Sequence, residues 1–179
     1  EGITASVHTP GDLDTAASLS NVTTGSTAKS GSYAELGPEI TYTDTVINLF
    51  NIYVGGNDSV IIDGGIVNEA NTMESAELTI RNCQMEYNLL QAYDTSAITV
   101  ENCSIEKEDD SYTPSVTASG DEGGNGSIIT ISNSDCSGLI AQAIESGKIY
   151  FVGVSNLNQD DLDVQDKGQI FKDGTKIRP

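Results

Sequence analysis

Three stretches of this chain read alike without a gap: LTIRNCQM at Leu78–Met85, ITVENCSI at Ile98–Ile105 and ITISNSDC at Ile129–Cys136. Two looser copies flank them, VIIDGGIV at Val60–Val67 and IYFVGVSN at Ile149–Asn156. Successive copies start 18, 20, 31 and 20 residues apart. In each, apolar residues alternate with polar ones at period 2, the mark of a strand with one buried face. The fifth position holds Asn82, Asn102 or Asn133 in the close copies and a glycine in the looser ones. Both residue types accept the left-handed backbone that a sharp bend requires.

One strand and one bend about every 20 residues is what a solenoid coil needs. Each coil leaves its backbone donors and acceptors to the coils about 4.8 Å above and below it. The reading is therefore all-β: a short parallel β-helix or solenoid of about five coils, with an irregular N-terminal arm and a C-terminal hairpin. Val60, Leu78, Ile98, Ile129 and Ile149 would form one inner column, and Ile62, Ile80, Val100, Ile131 and Phe151 a second. Asn82, Asn102 and Asn133 are expected to stack at the bend as a structural ladder, amide bonding to amide. Asp63, Arg81 and Glu101 fall at one outward position, an ion-pair ladder with the cation between two carboxylates. Thr79, Thr99 and Thr130 share the outward position before it. The competing architecture is a β-sandwich or meander of short strands, which the scarcity of hairpin signals between copies disfavours.

The segments LTIRNCQM and ITVENCSI resemble the repeats of right-handed parallel β-helix proteins, the pectin-lyase-like superfamily, over residues 40–157. The resemblance implies a three-faced coil with a stacked Asn turn. It is specific for fold and unspecific for function. That superfamily includes polysaccharide lyases and hydrolases, phage tailspikes, adhesins and cell-surface proteins, and this chain looks most like the non-enzymatic surface and fibre kind.

Around the repeats the chain divides into a Ser/Thr-rich N-terminal arm or cap at 1–38, the solenoid at 39–157 and an acidic-then-basic tail at 158–179. The long spacing is read as a polar loop thrown out at Glu106–Asn125. The net charge of −19 is uneven. Residues 1–166 carry 26 acids against 4 bases, net −22, and residues 167–179 carry 1 acid against 4 bases, net +3. Lys167, Lys172, Lys176 and Arg178 are those four bases, and they are candidate intersubunit contacts. Asp173-Gly174 centres a hairpin over Gln169–Ile177, which folds back on its own body or docks on a neighbouring copy.

Such a charge repels phosphate, so nucleic acid is excluded as a partner, and it opposes docking on an anionic bilayer. No run of about 20 apolar residues is present to insert into a membrane. The single histidine, His8, excludes any site built on two. The chain begins Glu1-Gly2 with no initiator Met, and a removed signal peptide with an extracellular or cell-surface location is expected. Asn21, Asn57, Asn102 and Asn125 head glycosylation sequons, with Asn102 expected to be blocked in the bend.

Cys83 and Cys103 share a repeat position and would stack within disulfide reach, or remain a pair of buried thiols. Cys136 is displaced from them by two positions, a candidate for an intermolecular bond. No catalytic set is found. Asp63 and Glu101 are the outward carboxylates a lyase or hydrolase would use, but the base beside them is Arg81, which does not give up its proton. No cofactor is expected. Calcium is the one ion the acidic runs could hold, at Asp160-Asp161-Leu162-Asp163 or Asp121-Glu122 with Asn125.

A short solenoid with two open ends must cap its strand edges or use them. The expected function is that of a structural, self-assembling extracellular protein: a subunit of a surface layer, sheath, fibre or filament, whose partners are copies of itself. The alternatives are a carbohydrate-binding adhesin or phage fibre module, and a polysaccharide lyase or hydrolase.

Overall fold

In a computed structural model of the chain, the two inner columns form as the repeats dictate. The structure describes residues 51–57, 59–105, 115–121 and 123–178, with the separate strand segments 6–8, 33–35, 40–43 and 48–49. In chain order the first strands are β1 (Ser6–His8), β2 (Tyr33–Glu35), β3 (Ile40–Thr43), β4 (Asn48–Leu49) and β5 (Asn51–Val54). Two long bent strands follow, β6 (Ser59–Thr72) and β7 (Glu77–Ala92), then β8 (Ala97–Glu101), β9 (Ser104–Ile105), β10 (Val116–Ala118) and β11 (Ile128–Ser132). The last are β12 (Ala141–Ala143), β13 (Lys148–Val152), β14 (Leu162–Val164), β15 (Gln169–Lys172) and β16 (Thr175–Arg178). They wind into an all-β parallel solenoid of about five turns with three faces.

The first face stacks β3, the starts of β6 and β7, then β8, β11, β13 and β15, all parallel and in register. Its inner columns are Val60, Leu78, Ile98, Ile129, Ile149 and Ile170, and Ile62, Ile80, Val100, Ile131 and Phe151, all buried. The second face is narrow. Val67, Met85 and Ile105 stack inward, and Cys136 continues their column one step beyond the bridge that pairs Ser104 with Asp135. The third face stacks β2, β5, the ends of β6 and β7, β10, β12 and β14. Its inner residues include Ala70, Ala92, Ala118, Ala141 and Ala143. The same face also buries Ile52, Leu90, Val116 and Leu162, so large and small side chains mix there, which is how a narrow coil reaches native packing density.

Two bends turn the coil, and both use left-handed backbone. At the first, between faces one and two, φ is +55° at Asn82, +53° at Asn102, +48° at Asn133 and +58° at Gly153. The asparagines take this conformation because their short amides tolerate it. Their side chains are exposed, which corrects the expectation that Asn102 is blocked in the bend. The second bend, from face three back to face one, has φ of +60° at Glu74, +57° at Asp94, +56° at Glu145 and +54° at Asp166. Acidic residues in that conformation are costlier than asparagine. They persist because the coil below fixes the turn: Asp94 Oδ2 accepts the Glu74 N–H at 3.0 Å, and the Thr95 hydroxyl donates to the Glu74 carbonyl at 2.6 Å.

The long repeat spacing is only partly loop. Val116 and Ala118 form β10 between Leu90/Ala92 and Ala141/Ala143, with Leu90 N–H donating to the Ser115 carbonyl at 2.8 Å. The excursion is shorter than Glu106–Asn125, because the small residues of Ser115–Ser119 carry a strand with too little apolar bulk to stand out in sequence. Residues 106–114 and most of the 1–38 arm lie outside the described residues.

The sequence reading ended the solenoid at residue 157, and the structure carries it further. Leu162 and Val164 continue the third face, and Ile170 continues the first. Four aspartates in Asp160–Asp166 masked that period-2 pattern. The chain then reverses at Asp173 (φ +48°) and Gly174 (φ +78°), both left-handed as a two-residue hairpin turn demands. β16 pairs antiparallel with β15, and Ile177 packs against the core. The hairpin thus folds on its own body.

A register this strict makes adjacent residues energetically opposite. Ile98→Ala is expected to cost about 2–5 kcal/mol in urea unfolding, whereas Thr99→Ala, one step along β8 and facing out, is expected to stay within about 0.5 kcal/mol.

Candidate functional site

The outward side of the first face gathers the residues that sequence singled out. Asp63, Arg81 and Glu101 stand in register on β6, β7 and β8. Arg81 Nε donates to Asp63 Oδ2 at 2.9 Å, and Asn82 Nδ2 donates to Asp63 Oδ1 at 2.7 Å. The Asn82 amide, with the Arg81 guanidinium behind it, holds the Asp63 carboxyl below the usual carboxylate range. Both oxygens of Asp63 are therefore occupied by the next coil. Arg81 turns to Asp63 rather than to Glu101, which stands on its other side. Instead of amide-to-amide bonding at the bend, the structure joins the Asn82 amide to this ion pair.

The cysteines expected as disulfide candidates are buried thiols that are not joined in a disulfide. Cys83 and Cys103 do stack, and their position has a structural use that sequence did not reveal. The Cys83 thiol donates to the Arg81 carbonyl at 3.2 Å, the Cys103 thiol to the Glu101 carbonyl at 3.3 Å, and the Ser134 hydroxyl to the Ser132 carbonyl at 2.8 Å. The coil below then donates upward: Cys83 N–H to Cys103 Sγ at 3.4 Å, and Cys103 N–H to Ser134 Oγ at 3.0 Å. The sixth repeat position is small and polarisable because it must satisfy the bend of the coil beneath it. The hydrogen bond from Cys83 lowers the Cys103 thiol pKa, against the burial that raises it.

Cys136 is not at this corner. It fills the second-face column with 0% exposure, and burial, helped by the Asp135 charge, pushes its thiol up to about 12. Its role as an intermolecular lock is corrected on that ground, since the sulfur cannot reach a second copy through the core.

The acidic runs face separate partners. Asn158 caps a short turn at Gln159–Asp161, accepting the Asp160 N–H at 3.2 Å and donating to Asp161 Oδ2 at 3.0 Å. Asp163 Oδ2 accepts from Gln142 and Gln165 at 2.8 and 2.9 Å. Asp121 takes both the backbone and side-chain N–H groups of Asn125, at 2.8 and 3.0 Å, and Glu122 lies outside the described residues. Among the described residues no three His, Cys, Asp or Glu side chains converge to hold a metal.

Of the basic residues, Lys167 is exposed on the turn after β14, and Lys172 is half-buried at the inward register position opposite Phe151. Lys176 is exposed on β16 opposite Phe171. Arg178 ends β16, and its side chain lies outside the described residues.

One feature of the outer surface escaped sequence reading. Tyr150 and Phe171, in register on β13 and β15, stack with ring centroids 4.8 Å apart and planes 10° apart. They continue the outward column of Thr79, Thr99 and Thr130. The exposed large apolar residues Ile128 and Val152 lie on the same face, on neighbouring strands. Phe171 lies in the acidic-then-basic stretch 158–179, outside the repeats, so the alignment does not show the pair. Compared with family models, with curated proteins and with solved structures, the chain matches none.

The thiol geometry makes a direct chemical statement. In the native protein at about pH 8, Cys136 should resist alkylation for hours, and all three cysteines should label in urea without reductant. A mass two units low before reduction would contradict the free-thiol assignment.

Proposed function

We propose that this chain is a structural, self-assembling protein of an extracellular or cell-surface layer, sheath, fibre or filament, of the non-enzymatic β-helix kind. The observation that carries this reading is the direction of the hydrogen bonds. All described strands belong to one sheet whose path runs from β1 at one end to β16 at the other, so its unpaired edges face along the solenoid axis. Such edges are templates for pairing with another chain. The hairpin closes on the Lys172–Thr175 pair, which leaves the N–H and carbonyl of Lys176 pointing away from β15. A second copy that pairs there extends the sheet.

The charge supports the same reading. A body at net −22 resists random contact, and the +3 end, which carries β15 and β16, gives association a direction. The occupied oxygens of Asp63 favour a structural role over hydrolysis. Among the described residues no helix is long and apolar enough to cross a membrane. The second reading, a carbohydrate-binding adhesin or phage fibre module, draws on Tyr150 and Phe171. It is less favoured because those rings spend one face each on the other.

Electron micrographs of the purified protein should show polymers that lengthen with concentration. Lys176→Pro removes an outward donor while leaving the bonds inside the hairpin, and should abolish lengthening. Lys176→Gln keeps the donor and should polymerise. A wild-type chain that stays single at high concentration would contradict the proposal.

A further inference from the structure

The outer surface of the first face divides into two halves. One half, on β7 and β8, presents Glu77, Thr79 and Thr99; the other, on β11 and β13, presents Ile128, Thr130 and Lys148. Glu77 and Ile128 are exposed, the others half-buried. Glu77, Ala97, Ile128 and Lys148 form one column, and Thr79, Thr99, Thr130 and Tyr150 the next. Ser59 precedes Glu77 and Gln169 follows Lys148 in the first column, so an acid and a base stand at equal distances from its middle, with small or apolar residues between.

This order is self-complementary under one operation. A two-fold axis parallel to the strands, midway between β8 and β11, places β7 over β13 of a second copy and β8 over its β11. Columns are preserved and their order reversed. Glu77 then faces Lys148 of the second copy, Ala97 faces its Ile128, Thr99 faces its Thr130, and Thr79 faces its Tyr150. No like charges meet within these two columns; in the third outward column the same axis sets Arg81 against Val152 and Glu101 against Ser132 of the second copy. A residue pattern that satisfies both halves of an isologous contact at once is what a two-fold interface demands.

We infer that the first face pairs with the same face of a second copy about this axis, as two sheets packed roughly 10 Å apart. The inference rests on the self-assembly reading and adds to it a lateral contact, distinct from the axial one at β16. Six strands at about 4.8 Å and five residues at about 3.3 Å give a plateau near 29 by 16 Å. That is about 460 Å² per copy, below the standard size, so the pairing is weak and is expected at high protein concentration. Apolar Ile128, at 38% exposure, is covered by Ala97 of the second copy, and Val152, at 46%, by the aliphatic stem of its Arg81.

Sedimentation velocity of the full chain, with Lys176→Pro present to stop axial growth, tests it. The background variant should be a dimer at high protein concentration. Adding Lys148→Glu sets two acids face to face and should weaken dimerisation at least about tenfold. Adding Glu77→Lys as well re-forms the pair with reversed sign and should restore it to within about threefold. Both positions are on the surface, and circular dichroism confirms that each variant is folded. A dimer indifferent to Lys148→Glu, or one that the double variant does not restore, overturns the lateral contact. If polymers of the otherwise wild-type Lys148→Glu chain still lengthen, the axial reading stands without it. If the Lys176→Pro chain still polymerises while the charge swap behaves as expected, the axial reading fails and the lateral one stands. A background variant that is monomeric at that concentration overturns the lateral contact.

Discussion

Every coil of this molecule gives its backbone hydrogen bonds to the coil above and the coil below. That single constraint shapes the rest. Parallel, in-register pairing forces equivalent residues into columns, so any side chain is surrounded by its own repeats. Apolar columns fill the interior because the large residues of the first face meet a third face that mixes alanines with Ile52, Leu90, Val116 and Leu162. A charged or polar position must find its partner one coil away, as Asp63 does with Arg81 and Asn82.

The bends carry the cost of closing each coil. Nine described residues other than glycine have positive φ, and eight of them lie where the chain turns from one face to the next or reverses in the hairpin. Each costs about 1–2 kcal/mol relative to ordinary backbone. The stack offsets this cost by bonding every turn to its neighbour. Cys83, Cys103 and Ser134 act as hydrogen-bonding links at the first bend, and the Thr95 hydroxyl serves the second. The cysteines thus serve the corner by their size and their sulfur, with no disulfide between them.

The fold was legible in sequence wherever the columns were apolar. Period-2 alternation plus an Asn or Gly in each copy marked the first face, its register and the first bend. The second bend also repeats, as Glu74-Ser75, Asp94-Thr95, Glu145-Ser146 and Asp166-Lys167. It was missed because acidic residues in left-handed backbone have no strong sequence signature. The third face was missed for a similar reason: Ala70, Ala92, Ala118 and Ala143 carry little strand propensity, and they form strands because the coils on either side demand it. Cys136 looked like an odd thiol until its column was seen to be Val67, Met85 and Ile105. The Tyr150–Phe171 stack needed a further coil, which the aspartates of residues 160–166 concealed.

The account stands or falls on whether the hydrogen-bond direction inside one molecule is also the direction in which molecules add. X-ray diffraction from aligned polymers reads this directly. Coils stacked along the assembly axis should give a strong reflection near 4.8 Å on the meridian. The same spacing on the equator, with strands lying along the polymer, would contradict axial extension through β16.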